Sequence, residues 1–332
     1  MNDRTLCVAA IQMESRNGDI AGNLARAGRW ADEAARHGAE LVLLPELFST
    51  GFEINDHAWQ SAEPQGGPSE SWLAETARRH GLHIGGSYLE ARGEDFHNTF
   101  ALAAPDGSIA GRVRKAHPCS LEAYVFKAGD DSHVIDTALG RIGVAICYDG
   151  SLRAVWDDIL GGDPDLVLMP MSAPTPMKTF FYGQRRIDAF HASFRDGATQ
   201  SAAGIGVPML MANKWGPWVT DLPGRWPKQS SRFPGFSHIA DSDGREVARM
   251  ADGEGVIVGE VHLAPQRKRL ALPPEKDRYK PWVAAVPAEY KFFRCFEALG
   301  RRWYARHPER ARLAASISGT RPASADTARS AQ

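Results

Sequence analysis

Apolar residues along the chain fall into short unbroken runs, separated by stretches with a helical period. "TLCVAAIQM" (5–13), "AELVLLPEL" (39–47), "RIGVAIC" (141–147), "DLVLMPMS" (165–172) and "GVPMLMAN" (206–213) are such runs. They show little polar alternation, which predicts strands covered on both faces. Helical patterning predicts helices over about 21–36, 69–80, 152–160 and 181–202. Gly81 follows the second of these and leads into a further strand, "LHIGGSYLE". Two stretches alternate about a turn. "HNTFALAAPDGSIAGRVRK" (97–115) turns on Pro-Asp-Gly, "GFSHIADSDGREVARM" (235–250) turns on Asp-Gly, and both predict hairpins. A last strand follows at "GVIVGEV".

The two halves repeat one order: strand, helix, strand, helix, strand, hairpin. "ELVLLPEL" (40–47) and "DLVLMPMS" (165–172) match by eye at the same place in each. This predicts an α/β fold: a four-layer αββα sandwich with internal pseudo-duplication, its sheets packed together and its helices outside. Strand ends of both halves would meet in one region, where α/β folds hold ligands. The expected organisation is one domain over 1–264, then a C-terminal extension over 265–311 with an amphipathic helix near 288–305. The small, polar stretch 312–332 is expected to be disordered.

Composition narrows the function. The chain has 332 residues, is 43% hydrophobic and carries a formal net charge of −1, with both signs mixed along it. That is the balance of a large globular core without the basic footprint of a nucleic-acid partner. No apolar stretch approaches a membrane span, and the first residues lack a signal-peptide pattern. Cys7, Cys119, Cys147 and Cys295 show no metal or CxxC spacing. Free thiols in a reducing cytoplasm are therefore expected.

Candidate chemistry begins with Cys147, which closes an apolar run and precedes Tyr148 and Asp149 in "GRIGVAICYDG". A buried cysteine is more often an inert small hydrophobe than a nucleophile, so other groups must decide. Glu46 stands at the end of "LVLLPEL", where a carboxylate is costly unless partnered; alone, it reads equally as a strand-end acid turned to solvent. Lys115, His117, Cys119 and Glu122 lie in "RKAHPCSLEAYVFKAGD", which alone reads as a solvated loop. There is no G-x-S-x-G elbow, phosphate loop or Rossmann fingerprint.

Together these motifs resemble the nitrilase superfamily of carbon–nitrogen hydrolases. "LVLLPELFSTGF", "RKAHPCSLEAYVFKAGD" and "GRIGVAICYDG" are similar to its three motifs, in order, over a region from about 5 to 262. "HNTFALAAPDGSIAGRVRK", "MANKWG" and "GFSHIADSDG" resemble its hairpins and late strand. After the cysteine, many members carry an arginine-x-proline-glutamate segment; here "YDGSLRAVW" keeps Asp149 and an arginine in another context.

The resemblance implies the αββα fold and a catalytic triad of Glu46, Lys115 and Cys147, with Glu122 as the additional glutamate. Glu46 would act as base, Cys147 as nucleophile, and Lys115 with the Tyr148 N–H as oxyanion donors. Lys115 would also favour the Cys147 thiolate. No metal or organic cofactor is required. The implied substrate is a small amide, with nitriles and N-carbamoyl compounds as alternatives. Acyl transfer to another acceptor, or a catalytically silent interaction protein, also fits the fold.

Candidate substrate contacts are Tyr148, Phe52, Trp215 and Met171. The segment Asn213–Gly235 reads either as a proline-stiffened surface loop or as a pocket wall in which Arg225 or Lys228 holds an acidic group. Phe180, Phe181 and Tyr182 are further lining candidates. A homodimer or larger homo-oligomer is implied, with Tyr290, Phe292 and Phe293 offered as its contact.

Overall fold

A computed structural model describes residues 3–180, 182–223, 228–269 and 290–320. Two six-stranded sheets stack between helices. The first has the order β14(Gly255–Leu263), β1(Arg4–Gln12), β2(Leu41–Leu43), β3(His83–Arg92), β4(Asp95–Ala103), β5(Ile109–Arg114). The second has the order β6(Val134–Thr137), β7(Gly140–Val144), β8(Leu166–Met171), β9(Met209–Asn213), β12(His238–Ala240), β13(Glu246–Arg249). Read in those orders, both sheets pair antiparallel, parallel, parallel, antiparallel, antiparallel. The predicted duplication is thus present strand for strand.

Period-2 geometry explains the unbroken apolar runs, because successive side chains enter different layers. Leu41 and Leu43 of β2, with Leu166 and Leu168 of β8, fill the space between the sheets. Val42 and Leu44 face α1(Ile20–Arg36) and α2(Pro68–His80) through Ala27, Ala31, Ala34, Leu73 and Ala77. Val167, Met169 and Met171 face α3(Arg153–Gly161) and α4(Gln184–Ile205) on the opposite side. Helix ends follow local chemistry. The Asp19 side chain accepts from the Gly22 N–H at the start of α1, and Gly81 takes a left-handed cap after α2.

Three strands were not predicted. β6 is only four residues long and interrupted by Asp136, too short for a periodic signal. β10(Trp215–Thr220) and β11(Gln229–Pro234) form a separate two-stranded sheet within the expected loop or pocket wall.

The C-terminal region differs from expectation. α5(Tyr290–Arg306) agrees with the amphipathic helix, but the supposedly disordered tail begins inside a second helix, α6(Arg310–Ser318). Small residues are why it packs: Ala314 and Ala315 are buried, and Ser318 donates to the Gly93 carbonyl. Residues 321–332 lie outside the described part. Nor does α5 present Phe293 outward; its ring meets Tyr148 edge-on at 6.3 Å, and Gly300 fits against Ala123 and Tyr124. Side chains of Tyr290 and Phe292 lie outside the described residues.

Candidate active site

Three turns after strand ends carry the predicted residues, and each contains a non-glycine residue with positive φ: Leu47 (48°), Ser120 (52°) and Cys147 (51°). Among the described residues only Asp163 and Phe236 share this property. Such backbone costs roughly 1–3 kcal/mol each, so the surrounding contacts must enforce it.

The Glu46 turn follows β2 and is fully buried. Its backbone N–H donates to the Met171 carbonyl (3.3 Å), and its carbonyl accepts from Ser172 Oγ (2.8 Å). Glu46 Oε1 accepts from Lys115 Nζ and from Asn98 Nδ2, both at 2.7 Å. Glu46 Oε2 is buried and has no hydrogen-bond partner among the described residues. One oxygen is thereby fixed and the other is left available.

Lys115 leaves the β4–β5 hairpin, where its N–H donates to the Asn98 carbonyl (2.9 Å). Its ammonium sits between Glu46 and Glu122, with Glu122 Oε2 at 2.8 Å. Burial disfavours the charge, but the carboxylates of Glu122 and Glu46 outweigh it and hold Lys115 well above an ordinary lysine pKa. Burial, reinforced by the Glu46 charge, pushes Glu122 up to about 7 although Lys115 opposes it. Glu122 Oε2 also accepts from the Cys119 N–H (2.7 Å), closing a turn of 3-10 helix over Ser120–Tyr124. Helix α5 braces that turn: Glu297 Oε1 accepts from the Ser120 N–H (3.4 Å).

Cys147 begins a 3-10 turn immediately beyond β7 and is partly accessible. Burial, then the Glu46 charge, pushes its thiol well above the ordinary value; Lys115 and a hydrogen bond from the Ser172 backbone oppose without reversing this. The expected thiolate is therefore corrected. At neutral pH the resting sulfur keeps its proton, because a half-share in one ammonium does not offset desolvation and a nearby carboxylate.

Asp149, Asn98 and Ser172 were missed as site residues. The Asp149 carboxylate accepts from the N–H groups of Ala116 and His117 (both 2.9 Å), tying the segment after Lys115 to the Cys147 turn. Asn98 lay in a quoted hairpin, but nothing local marked its side chain as a partner for Glu46.

The substrate-contact candidates separate. Tyr148 adjoins the thiol, buried beneath Phe293. Met171 bonds the Glu46 turn through its carbonyl while its side chain lies in the core. Phe52 is buried in an aromatic cluster with Trp218 (5.7 Å) and Phe233 (6.1 Å). Trp215 bonds Asp252 and stacks under Arg232; none of these contacts runs to Glu46, Lys115 or Cys147. Phe180 is 95% exposed and Lys228 pairs with Asp221 at 3.5 Å, while Phe181 and Arg225 lie outside the described residues.

A cleft of ≈ 550 Å³ lies at the other ends of β7 and β8, lined by Asp136, Arg141, Asp163, Asp165 and Lys268. Its cations already pair with its acids, so it is not a second centre of the same kind. No described helix is long and apolar enough to cross a membrane.

Residues 7–268 match the family model for carbon–nitrogen hydrolase. A nitrilase of Pyrococcus abyssi is 34% identical over 147 residues, 43% of this chain and 55% of that protein. A 2-oxoglutaramate amidase of Bacillus subtilis is 30% identical over 145 residues, again 43% and 55%. The chain thus spans about half the length of these curated relatives. Among solved structures, a carbon–nitrogen hydrolase of Helicobacter pylori superposes with a TM-score of 0.69 at 18% identity, covering 80% of this chain and 91% of that one. An amidase of Nesterenkonia sp., solved with butyramide, gives 0.64 at 20% identity, covering 77% and 90%.

Proposed function

The chain belongs to the carbon–nitrogen hydrolase family, and from that premise we propose that it hydrolyses a small amide through a thioester on Cys147. One observation carries the reading: a buried ammonium, Lys115, shared by Glu46 and Glu122, leaves Glu46 Oε2 without a hydrogen-bond partner among the described residues, beside the turn that bears the thiol. Amide is preferred because the related Bacillus protein is an amidase.

Because the sulfur rests protonated, attack and deprotonation are coupled. Glu46 takes the thiol proton as Sγ bonds to the carbonyl carbon and the carbonyl electron pair moves to oxygen. Lys115 and the Tyr148 N–H stabilise that oxyanion. Collapse expels the amine, which receives the proton from Glu46. Glu46 then accepts a proton from water as water attacks the thioester. The C–S bond breaks, the sulfur recovers its proton and the acid leaves. Glu122 keeps Lys115 oriented throughout.

The test is ammonia release from matched amide, nitrile and N-carbamoyl substrates, with butyramide among the amides. Release by the native chain and none above background by Cys147→Ala is expected, with the amide fastest. Undiminished release by the variant would refute a thioester, and preference for a nitrile or N-carbamoyl compound would reassign the substrate.

A further inference from the structure

Lys214 is a buried cation that this mechanism does not use. It follows Asn213 beyond the end of β9, is 0% exposed, and among the described residues has no carboxylate in ion-pair contact. A buried ammonium of this kind is costly unless other groups hold it. Its Nζ donates to the Leu47 carbonyl at 3.0 Å and lies 5.7 Å from the centre of the Phe233 ring. Burial pushes its pKa down to about 7, opposed by the charge of Glu46.

The acceptor is informative. Leu47 directly follows Glu46 and is held at φ 48°. Its N–H donates to Ser87 Oγ (2.8 Å), and its carbonyl also accepts from the Gly51 N–H (3.1 Å). With the Glu46 N–H on Met171 and its carbonyl on Ser172, every polar backbone atom of Glu46 and Leu47 is engaged. Lys214 supplies the side-chain amine among these contacts, and it reaches across from the second half of the fold.

We propose that Lys214 is a positioning residue: by donating to the Leu47 carbonyl it holds the left-handed turn that aims the Glu46 carboxylate at Lys115 and Cys147. This rests on the reading of Glu46 as the base. A turn displaced by about 1 Å costs on the order of 100-fold in rate, so the hydrogen bond has kinetic leverage without touching substrate.

The experiment compares Lys214→Met, Lys214→Arg and Glu46→Gln for kcat, KM, thermal stability and the rate at which iodoacetamide alkylates Cys147. Lys214→Met replaces a buried charge by an apolar chain of similar length, so it should fold at least as stably as the parent. Its kcat is expected to fall about 10- to 100-fold with KM nearly unchanged and alkylation slowed. Lys214→Arg, which keeps charge and donor, should restore most of the loss. Parent-like kcat in Lys214→Met would overturn the proposal, as would equal impairment of the Met and Arg variants. If Glu46→Gln itself turns over normally, the base assignment fails instead, and the two failures are thereby told apart.

Discussion

The two halves build the same backbone and put different chemistry on it. The matching runs make Leu43 the counterpart of Leu168, and the parallel register beside each then makes Ala10 that of Val144. Counting on from these, Glu46 corresponds to Met171 and Cys147 to Met13. Each of these two proposed reactive positions is a buried methionine in the other half. The counterpart turns even touch, through the Glu46 N–H and the Met171 carbonyl. A second carboxylate at Met171 would face Glu46 without an ammonium of its own, and unpaired buried charge is costly. Duplication thus supplies two strand ends that converge, and one-sided charge turns that convergence into a site.

Making the first half resemble the second should have the largest effect. Glu46→Met copies the counterpart residue, removes the proposed base, and is expected to lower turnover about 100- to 10,000-fold while the fold persists. Initial ammonia release and a thermal melt on the same sample check both parts. A variant that keeps half the parental rate would mean that the charge asymmetry is not what separates the halves.

Acidity sharpens the comparison next, since the burdened carboxylate Glu122 belongs to this one-sided charge cluster. As pH falls through about 7, Glu122 takes a proton and its grip on Lys115 weakens, so kcat/KM should decline on that limb. Glu122→Gln should lower the plateau and flatten the limb. Stability has the opposite sign: a carboxyl raised above its unfolded value of 4.5 contributes stability at low pH that is lost as pH rises through about 7. The parent's advantage over Glu122→Gln in urea should therefore be greater near pH 4.5 than near pH 8. An advantage that grows with pH would show that Glu122 is ionised throughout.

How much of this was legible in the sequence follows the range of the interactions. Cys147 and Glu46 were visible as candidates because each ends an apolar run, and strand ends in α/β folds face ligands. The duplication was visible because period-2 burial on two faces leaves unbroken apolar runs in both halves. What escaped depends on partners far along the chain. Lys214 acts on Leu47, 167 residues away, and looked like an ordinary loop lysine. α6 was invisible because its fully buried residues are alanines, Ala314 and Ala315, which carry no strong apolar signal. The resting state of Cys147 was misjudged because its sign is set by burial and by Glu46 as well as by Lys115.

The smallest effect concerns the opposite strand ends, where the halves are most alike. Glu40 Oε1 accepts from the Cys7 N–H (3.2 Å), and Asp165 Oδ2 accepts from the Arg141 N–H (2.8 Å), at corresponding positions before β2 and β8. Their surroundings differ, since Glu40 is exposed whereas Asp165 is buried and paired with Lys268 at 2.6 Å. Removing an exposed acceptor lets water replace it, so Glu40→Ala should cost about 0.5 kcal/mol or less. Asp165→Ala leaves the half-buried Arg141 N–H without its acceptor and Lys268 with Asp163 as its remaining acid, and about 1–3 kcal/mol is expected. Urea denaturation of the two variants measures the difference directly. Equal losses would mean that the shared backbone bond dominates both sites; unequal losses would show that burial, the same factor that distinguishes Glu46 from an ordinary surface acid, decides what each copy of the motif contributes.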